Sequence, residues 1–215
     1  MQFYFRVRGM FDLNNINNNQ LDFFRELENI GASHAATALS LMLSHDVAIR
    51  VPRAQFCEYG QICEILKGPE NVVAGLLVGI CGNLNGFILL VMDEEDARRI
   101  ADTMLEGMAD GMPEPEKQEM RISAIKELAN ILVSSYVNAI SELTGLKIDV
   151  SVPDVVFDMA GAVMNLLAVA YGDICDSVMF METEFQDNEQ SIYGHFFLIP
   201  DLESYKALIS KMEAF

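Results

Sequence analysis

The feature that most constrains this chain is that it repeats itself at an offset of 101 residues. Residues 22–40 (DFFRELENIGASHAATALS) lie over residues 123–141 (SAIKELANILVSSYVNAIS), with identities at Glu26/Glu127, Leu27/Leu128, Asn29/Asn130, Ile30/Ile131, Ser33/Ser134, Ala38/Ala139 and Ser40/Ser141. Chance supplies about one identity over such a window at ordinary composition. At the same offset Val47-Ala-Ile-Arg-Val-Pro52 lies over Ile148-Asp-Val-Ser-Val-Pro153, and at an offset of 108 the segment Gly86–Asp93 lies over Gly194–Asp201. The expectation is one domain over 1–215 made of two repeats, about 20–106 and 116–213, with an N-terminal lead-in over 1–17 and a linker over 107–115 (GMADGMPEP).

Each half reads as a long helix, a short strand ending near its proline, a shorter helix, a hairpin and a closing helix. Apolar Phe24, Leu27, Ile30, Ala35 and Leu39 recur at helical spacing, which predicts a helix over about Leu21–Met42. Its counterpart runs from Pro115 or Glu116 to Leu143, with acidic residues in its first turn and Gly145 as its stop. The shorter helices are expected over Glu58–Lys67 and Asp158–Tyr171, and the hairpins over Ala74–Cys81 with Gly86–Met92 and Ser177–Phe185 with Ile192–Ile199. Asp93–Leu105 and Asp201–Met212 close the halves. One half has only an open sheet and little core. The two are therefore expected to share a continuous core in a pseudo-two-fold α/β fold, with two long helices packed on a largely antiparallel sheet.

Composition narrows the class of partner. The 215 residues are 51% hydrophobic, enough for a real core, and 14 Lys and Arg against 32 Asp and Glu leave a net charge of −18. Such a chain repels phosphate backbones and anionic lipid surfaces, which excludes nucleic acid and points to another protein as partner. Val72–Met92 is 21 residues without a charge, about the length that spans a bilayer. Its Gly82-Asn-Leu-Asn-Gly86 cluster is turn chemistry, so a hairpin and not membrane insertion is expected. Cys57, Cys63, Cys81 and Cys175 stand at no metal-binding or disulfide-framework spacing and read as buried thiols of a cytoplasmic protein. The N-terminus lacks the apolar core and cleavage site of a signal peptide.

The inventory of catalytic motifs is nearly empty. No nucleophile elbow or phosphate loop is present, and His34, His45 and His195 are too isolated to form a metal cluster. What remains is a polar pair that occurs twice. Glu26 and Asn29 stand three apart on one helix face, extended by Asp22; Glu127 and Asn130, extended by Ser123, repeat the arrangement. All lie off the apolar stripe and should be accessible. A carboxamide offers a donor and an acceptor together, so it can hold a water in line with a phosphorus atom, as a Gln does in GTP hydrolysis. A neighbouring carboxylate can pair with a lysine of a partner. With no nucleophile or metal of its own, such a pair suits an acyl phosphate carried by another protein.

These residues resemble the CheC/CheX/FliY family of chemotaxis phosphatases. The family's signature is Glu-x-x-Asn, with Asp or Ser four residues before the Glu and Pro after a further twenty-two. Asp22, Glu26, Asn29 and Pro52 fit it once, and Ser123, Glu127, Asn130 and Pro153 fit it again. The resemblance implies hydrolysis of the aspartyl phosphate of the response regulator CheY. Asn29 and Asn130 would orient water, Glu26 and Glu127 would pair with the regulator's lysine, and the regulator would supply Mg²⁺. It also implies binding of the receptor deamidase CheD through the second half's short helix, at Asp158. The alternative is a non-catalytic adaptor that binds CheD or CheY. Glu28 and His34 depart from the family's usual Gly and Asn, and the added carboxylate of Glu28 favours the second site over the first.

Overall fold

The computed structural model describes residues 18–43, 46–108, 111–170, 177–187 and 190–214. In chain order these form α1 (Asn18–Leu43), β1 (Ala48–Glu58), a 3-10 turn (Tyr59–Gln61), α2 (Ile62–Ile65), β2 (Val72–Gly82), β3 (Gly86–Asp93) and α3 (Glu94–Met104). Then follow α4 (Glu114–Thr144), β4 (Ile148–Val150), β5 (Asp154–Met159), α5 (Ala160–Ala170), β6 (Ser177–Asp187), β7 (Gln190–Pro200) and α6 (Leu202–Glu213). The strands make one sheet in the order β1-β6-β7-β3-β2-β4, with β5 also on β2, and every pairing is antiparallel.

That order reads the same when the halves are exchanged. The two hairpins, β2–β3 and β6–β7, meet along β3 and β7 at the centre, from Gly86 opposite Pro200 to Met92 opposite Gly194. Each outer strand then crosses over: β1 of the first half pairs with β6 of the second, and β4 and β5 of the second pair with β2 of the first.

The central strands are apolar on both faces because both faces are covered. On β3, Ile88, Leu90 and Met92 face the layer of long helices, while Phe87, Leu89 and Val91 pack with Ile62 and Leu66 of the α2 region and Ala160, Val163 and Met164 of α5. Burial on both faces replaces the usual alternation with a continuous run. This accounts for the charge-free stretch over Val72–Met92, which forms the β2–β3 hairpin. Among the described residues no helix is long and apolar enough to cross a membrane.

The long helices lie side by side on one face. Phe23, Phe24 and Leu27 of early α1 share a cluster with Val133, Tyr136, Val137 and Ile140 of late α4. Ala35 and Leu39 of late α1 share another with Ala124, Ile125, Leu128 and Leu132 of early α4. The helices therefore run antiparallel. Gly31 sets their approach, because a Cβ there would overlap the Tyr136 ring, which also packs on Phe196 at 5.2 Å between ring centroids. Gly145 stops α4 as its sequence position suggests, with φ 71° and its N–H on the Ser141 carbonyl at 2.8 Å.

The sequence pattern ends the first strand of each half at its proline and starts a helix at Glu58 and at Asp158. The structure carries both strands past the proline: Arg53–Glu58 continue β1, and β5 runs through Asp158, so α5 begins only at Ala160. A proline ends a ladder only where its missing N–H cannot be accommodated, and here an extra residue accommodates it. Tyr171, the expected end of that helix, and Cys175 lie outside the described residues. Cys57 is buried and its thiol is pushed up to about 11 by burial, but Cys81 is exposed, on β2 opposite Asp149, contrary to its expected place in the core.

Replacing Gly31 by Leu forces a side chain into the Tyr136 ring. It should cost about 1–3 kcal/mol, read as a lower urea midpoint at unchanged slope. His195 on β7 keeps Nδ1 buried without a hydrogen-bond partner beside Phe180, and burial lowers its pKa from 6.5 to about 4. A group neutral in the fold but protonated in the unfolded chain stabilises above pH 6.5 and loses that contribution as pH falls toward 4. Urea midpoints should therefore fall more steeply between those values in the native chain than in His195→Phe.

Candidate functional site

The second Glu/Asn pair stands on α4, a helix whose other face is buried. Ala124, Ile125, Leu128, Ala129 and Leu132 point into the core, which turns Ser123, Glu127 and Asn130 outward, and all three are exposed. Residues three and four apart are surface neighbours on a helix, so Ser123, Lys126, Glu127 and Asn130 form one patch. The patch lines one wall of a cleft of about 350 Å³, whose other wall is Val150, Ser151, Val152 and Pro153.

That opposite wall is a β-bulge. Val150 pairs with Ile80 and Asp154 with Leu77, so Ser151, Val152 and Pro153 stand opposite only Val78 and Gly79. The extra residue is absorbed where Pro153 has no N–H to give. Ser151 keeps the sheet closed: its N–H donates to the Gly79 carbonyl at 2.9 Å, and its Oγ accepts from the Gly79 N–H at 2.9 Å. Pro153 is buried and Val152 is driven outward, 81% exposed beside the Glu/Asn patch. The separation between Asn130 and Pro153 thus joins a helix face to the bulge that walls it.

The first half uses the same device. Arg50 pairs with Glu184 and Arg53 with Glu182, so Val51 and Pro52 stand opposite Thr183 alone. The side chain of Pro52 lies outside the described residues, although its strand does not. On α1, Asp22, Glu26 and Asn29 are all exposed, and Phe23, Phe24 and Leu27 hold the opposite face in the core. Asp22 accepts a hydrogen bond from Arg25 at 3.0 Å in an exposed ion pair. Glu28 is half-buried on the side of α1 toward Tyr136, whose phenol is pushed up to about 12 by burial with a further rise from the Glu28 charge. His34 is exposed.

Because α1 and α4 are antiparallel, the two pairs are presented at different ends of the helix layer and not as one composite site. Asp158 stands apart from both. It lies at the end of β5 opposite Val73, exposed, with its Oδ1 accepting from the Met159 N–H at 2.7 Å. Its neighbour Met159 pairs with Val72, and these two apolar side chains are 47% and 44% exposed. Lys126 and the bulge residues Ser151 and Val152 were not evident as site members in the sequence. The signal for Lys126 was its spacing from Ser123 and Asn130; the bulge required knowledge of the strand partner.

Comparison with known proteins agrees with this geometry. The sequence model of the CheC-like family matches residues 120–157, the span from early α4 through β5 that builds the second cleft. The CheY-P phosphatase CheC of Bacillus subtilis is 29% identical over 203 residues, 94% of this chain and 97% of that one. The crystal structure of FliY from Thermotoga maritima superposes with a TM-score of 0.70 at 21% identity, covering 93% of this chain and 98% of that one. The crystal structure of the CheX-CheY-BeF3-Mg+2 complex from Borrelia burgdorferi gives 0.50 at 20% identity, covering 84% of this chain and 97% of the matched one. The family's match lies on the helix and bulge that carry the second Glu/Asn pair, and the Bacillus subtilis relative aligns over nearly the whole length, so the chain is similar to the CheC-like family in both sequence and fold.

Proposed function

We propose that this protein hydrolyses the aspartyl phosphate of a CheY-like response regulator. The observation that carries the reading is that Glu127 and Asn130 are exposed together in one cleft, with a duplicate pair at Glu26 and Asn29. The Asn130 carboxamide enters the regulator's phosphorylated pocket, accepts from one water proton and so aligns the water oxygen with phosphorus. Attack forms the new P–O bond and breaks the bond to the aspartyl carboxylate, which leaves as the free carboxylate with inorganic phosphate as product. Glu127 pairs with a lysine of the regulator and fixes the register in which the amide arrives. The acyl phosphate and Mg²⁺ belong to the regulator, and this chain contributes position, not a nucleophile.

The similarity to the Bacillus subtilis CheY-P phosphatase CheC and the fold shared with CheX in its complex with CheY support this reading. So do the two-fold strand order and the matching bulges, which fit a frame duplicated together with its site. On this reading the protein works in the cytoplasm. A binding role for CheD is favoured by a separate observation, the exposed Val72 and Met159 beside the Asp158 carboxylate at the sheet's end.

Adding the protein to phosphorylated CheY with Mg²⁺ should speed phosphate release. Glu127→Ala with Asn130→Ala should lower the second site's contribution on the order of a hundredfold, as lost positioning does. Both side chains are exposed, so the variant's unfolding free energy, read by urea titration, should change by no more than about 0.5 kcal/mol. Unchanged decay with the native protein defeats the reading. Asp158→Ala should abolish capture of CheD in a pull-down while leaving phosphate release intact; loss of both would place Asp158 in the fold and not at an interface.

A further inference from the structure

Arg25 and Lys126 occupy matching positions in the two long helices, each one residue before the Glu of its pair. Their surroundings differ. The helical neighbours of Arg25, three and four residues away, are Leu21, Asp22, Glu28 and Asn29, and Arg25 is held by Asp22 at 3.0 Å. The corresponding neighbours of Lys126 are Ile122, Ser123, Ala129 and Asn130, none of them charged. Ser123, which replaces Asp22, turns its hydroxyl back to donate to the Glu119 carbonyl at 3.1 Å. Among the described residues no carboxylate reaches Lys126, and its side chain lines the same cleft as Glu127 and Asn130.

An unpaired ammonium in the cleft of a chain with net charge −18 has a physical use. A phosphoryl group brought into the cleft meets the field of Glu127 and of the acidic surface around it, which opposes approach. A cation one helical turn from Asn130 offsets that field and donates charge-assisted hydrogen bonds to phosphoryl oxygens not engaged by the attacking water. Resting on the phosphatase reading above, we infer that Lys126 binds the phosphoryl group at the second site, and that Asp22 withholds the equivalent Arg25 from the first. The residue four before each Glu, Asp22 or Ser123, thereby decides whether the neighbouring cation is available to the substrate.

The test uses the full chain and a CheY-like regulator with Mg²⁺, either loaded with beryllium fluoride as a phosphoryl mimic or left unloaded. Native protein should bind the loaded form more tightly. Lys126→Met should lose that preference on the order of tenfold, with affinity for the unloaded form and melting temperature unchanged, and Lys126→Arg should keep it. In turnover, Lys126→Met should raise KM more than it lowers kcat. In an Asn130→Ala background, Asp22→Ser should free Arg25 and increase release from the first site. Equal preference in native protein and Lys126→Met overturns the proposal, as does Asp22→Ser without gain. If Asn130→Ala still removes turnover in that case, the phosphatase reading stands alone. If native protein gives no turnover, that reading falls, and the binding comparison still decides Lys126.

Discussion

The structure depends on the pairing of β3 with β7 at the centre of one sheet. From Gly86 opposite Pro200 to Met92 opposite Gly194, this pairing is the seam between the two hairpins, and side chains on both its faces are buried. Neither hairpin can end there, because an uncovered central strand would leave a row of backbone donors and acceptors unpaired and an apolar surface on each side. The outer strands extend the same dependence. Since β1 completes the second half's hairpin and β5 the first half's, each half lacks an edge that only the other supplies. The long helices then have a single continuous floor, and their antiparallel contact at Gly31 and Tyr136 follows from the two-fold relation beneath them.

On that floor the sites arise from a local irregularity. A regular strand under α4 would pair residue for residue with β2 and present a flat wall. The extra residue at Ser151-Val152-Pro153 pushes Val152 out of the sheet, leaving a cleft between the bulge and the helix face. Proline is the residue type for this position because the bulged peptide has no ladder partner to lose. Repetition of the bulge at Val51-Pro52 links the sequence spacing of Asn to Pro to a geometric requirement in both halves. A bulge displaced by one residue would turn the following side chains to the other face of the sheet and break their core contacts.

Much of this was legible in the sequence because it is periodic. The helices over α1 and α4, both hairpins and the closing helices follow from spacing, and the accessible positions of Glu26, Asn29, Glu127 and Asn130 follow from the apolar stripes they avoid. The two errors share one cause. Local pattern ends each strand near its proline and starts helices at Glu58 and Asp158, yet residues 53–58 and 154–159 are held as strand by partners far away in sequence, β6 and β2 respectively. Local pattern carries no record of a distant ladder. The same limit hid the cleft, since its wall depends on which residues of β2 face the bulge. Cys81 escaped for a smaller reason: it sits at the end of an otherwise buried strand, where β4 is short and the cover stops.

The two pairs are alike in the motif and unlike in their charge. Glu28 drew notice in the sequence as an extra carboxylate near the first pair, but it lies two residues beyond Glu26 on a helix, roughly across the axis, and its field falls on Tyr136. The carboxylate that changes the first patch is Asp22, because at three residues' separation it meets Arg25 directly. An exposed ion pair of this kind contributes little to stability. Its effect is on availability: a guanidinium paired with Asp22 offers a weaker field to an incoming anion than the ammonium of Lys126, whose helical neighbours are neutral. Under the proposed roles, an ammonium with neutral helical neighbours beside Asn130 would set how closely a phosphoryl group can approach so acidic a chain, and the two halves of one frame then need not be equal in use.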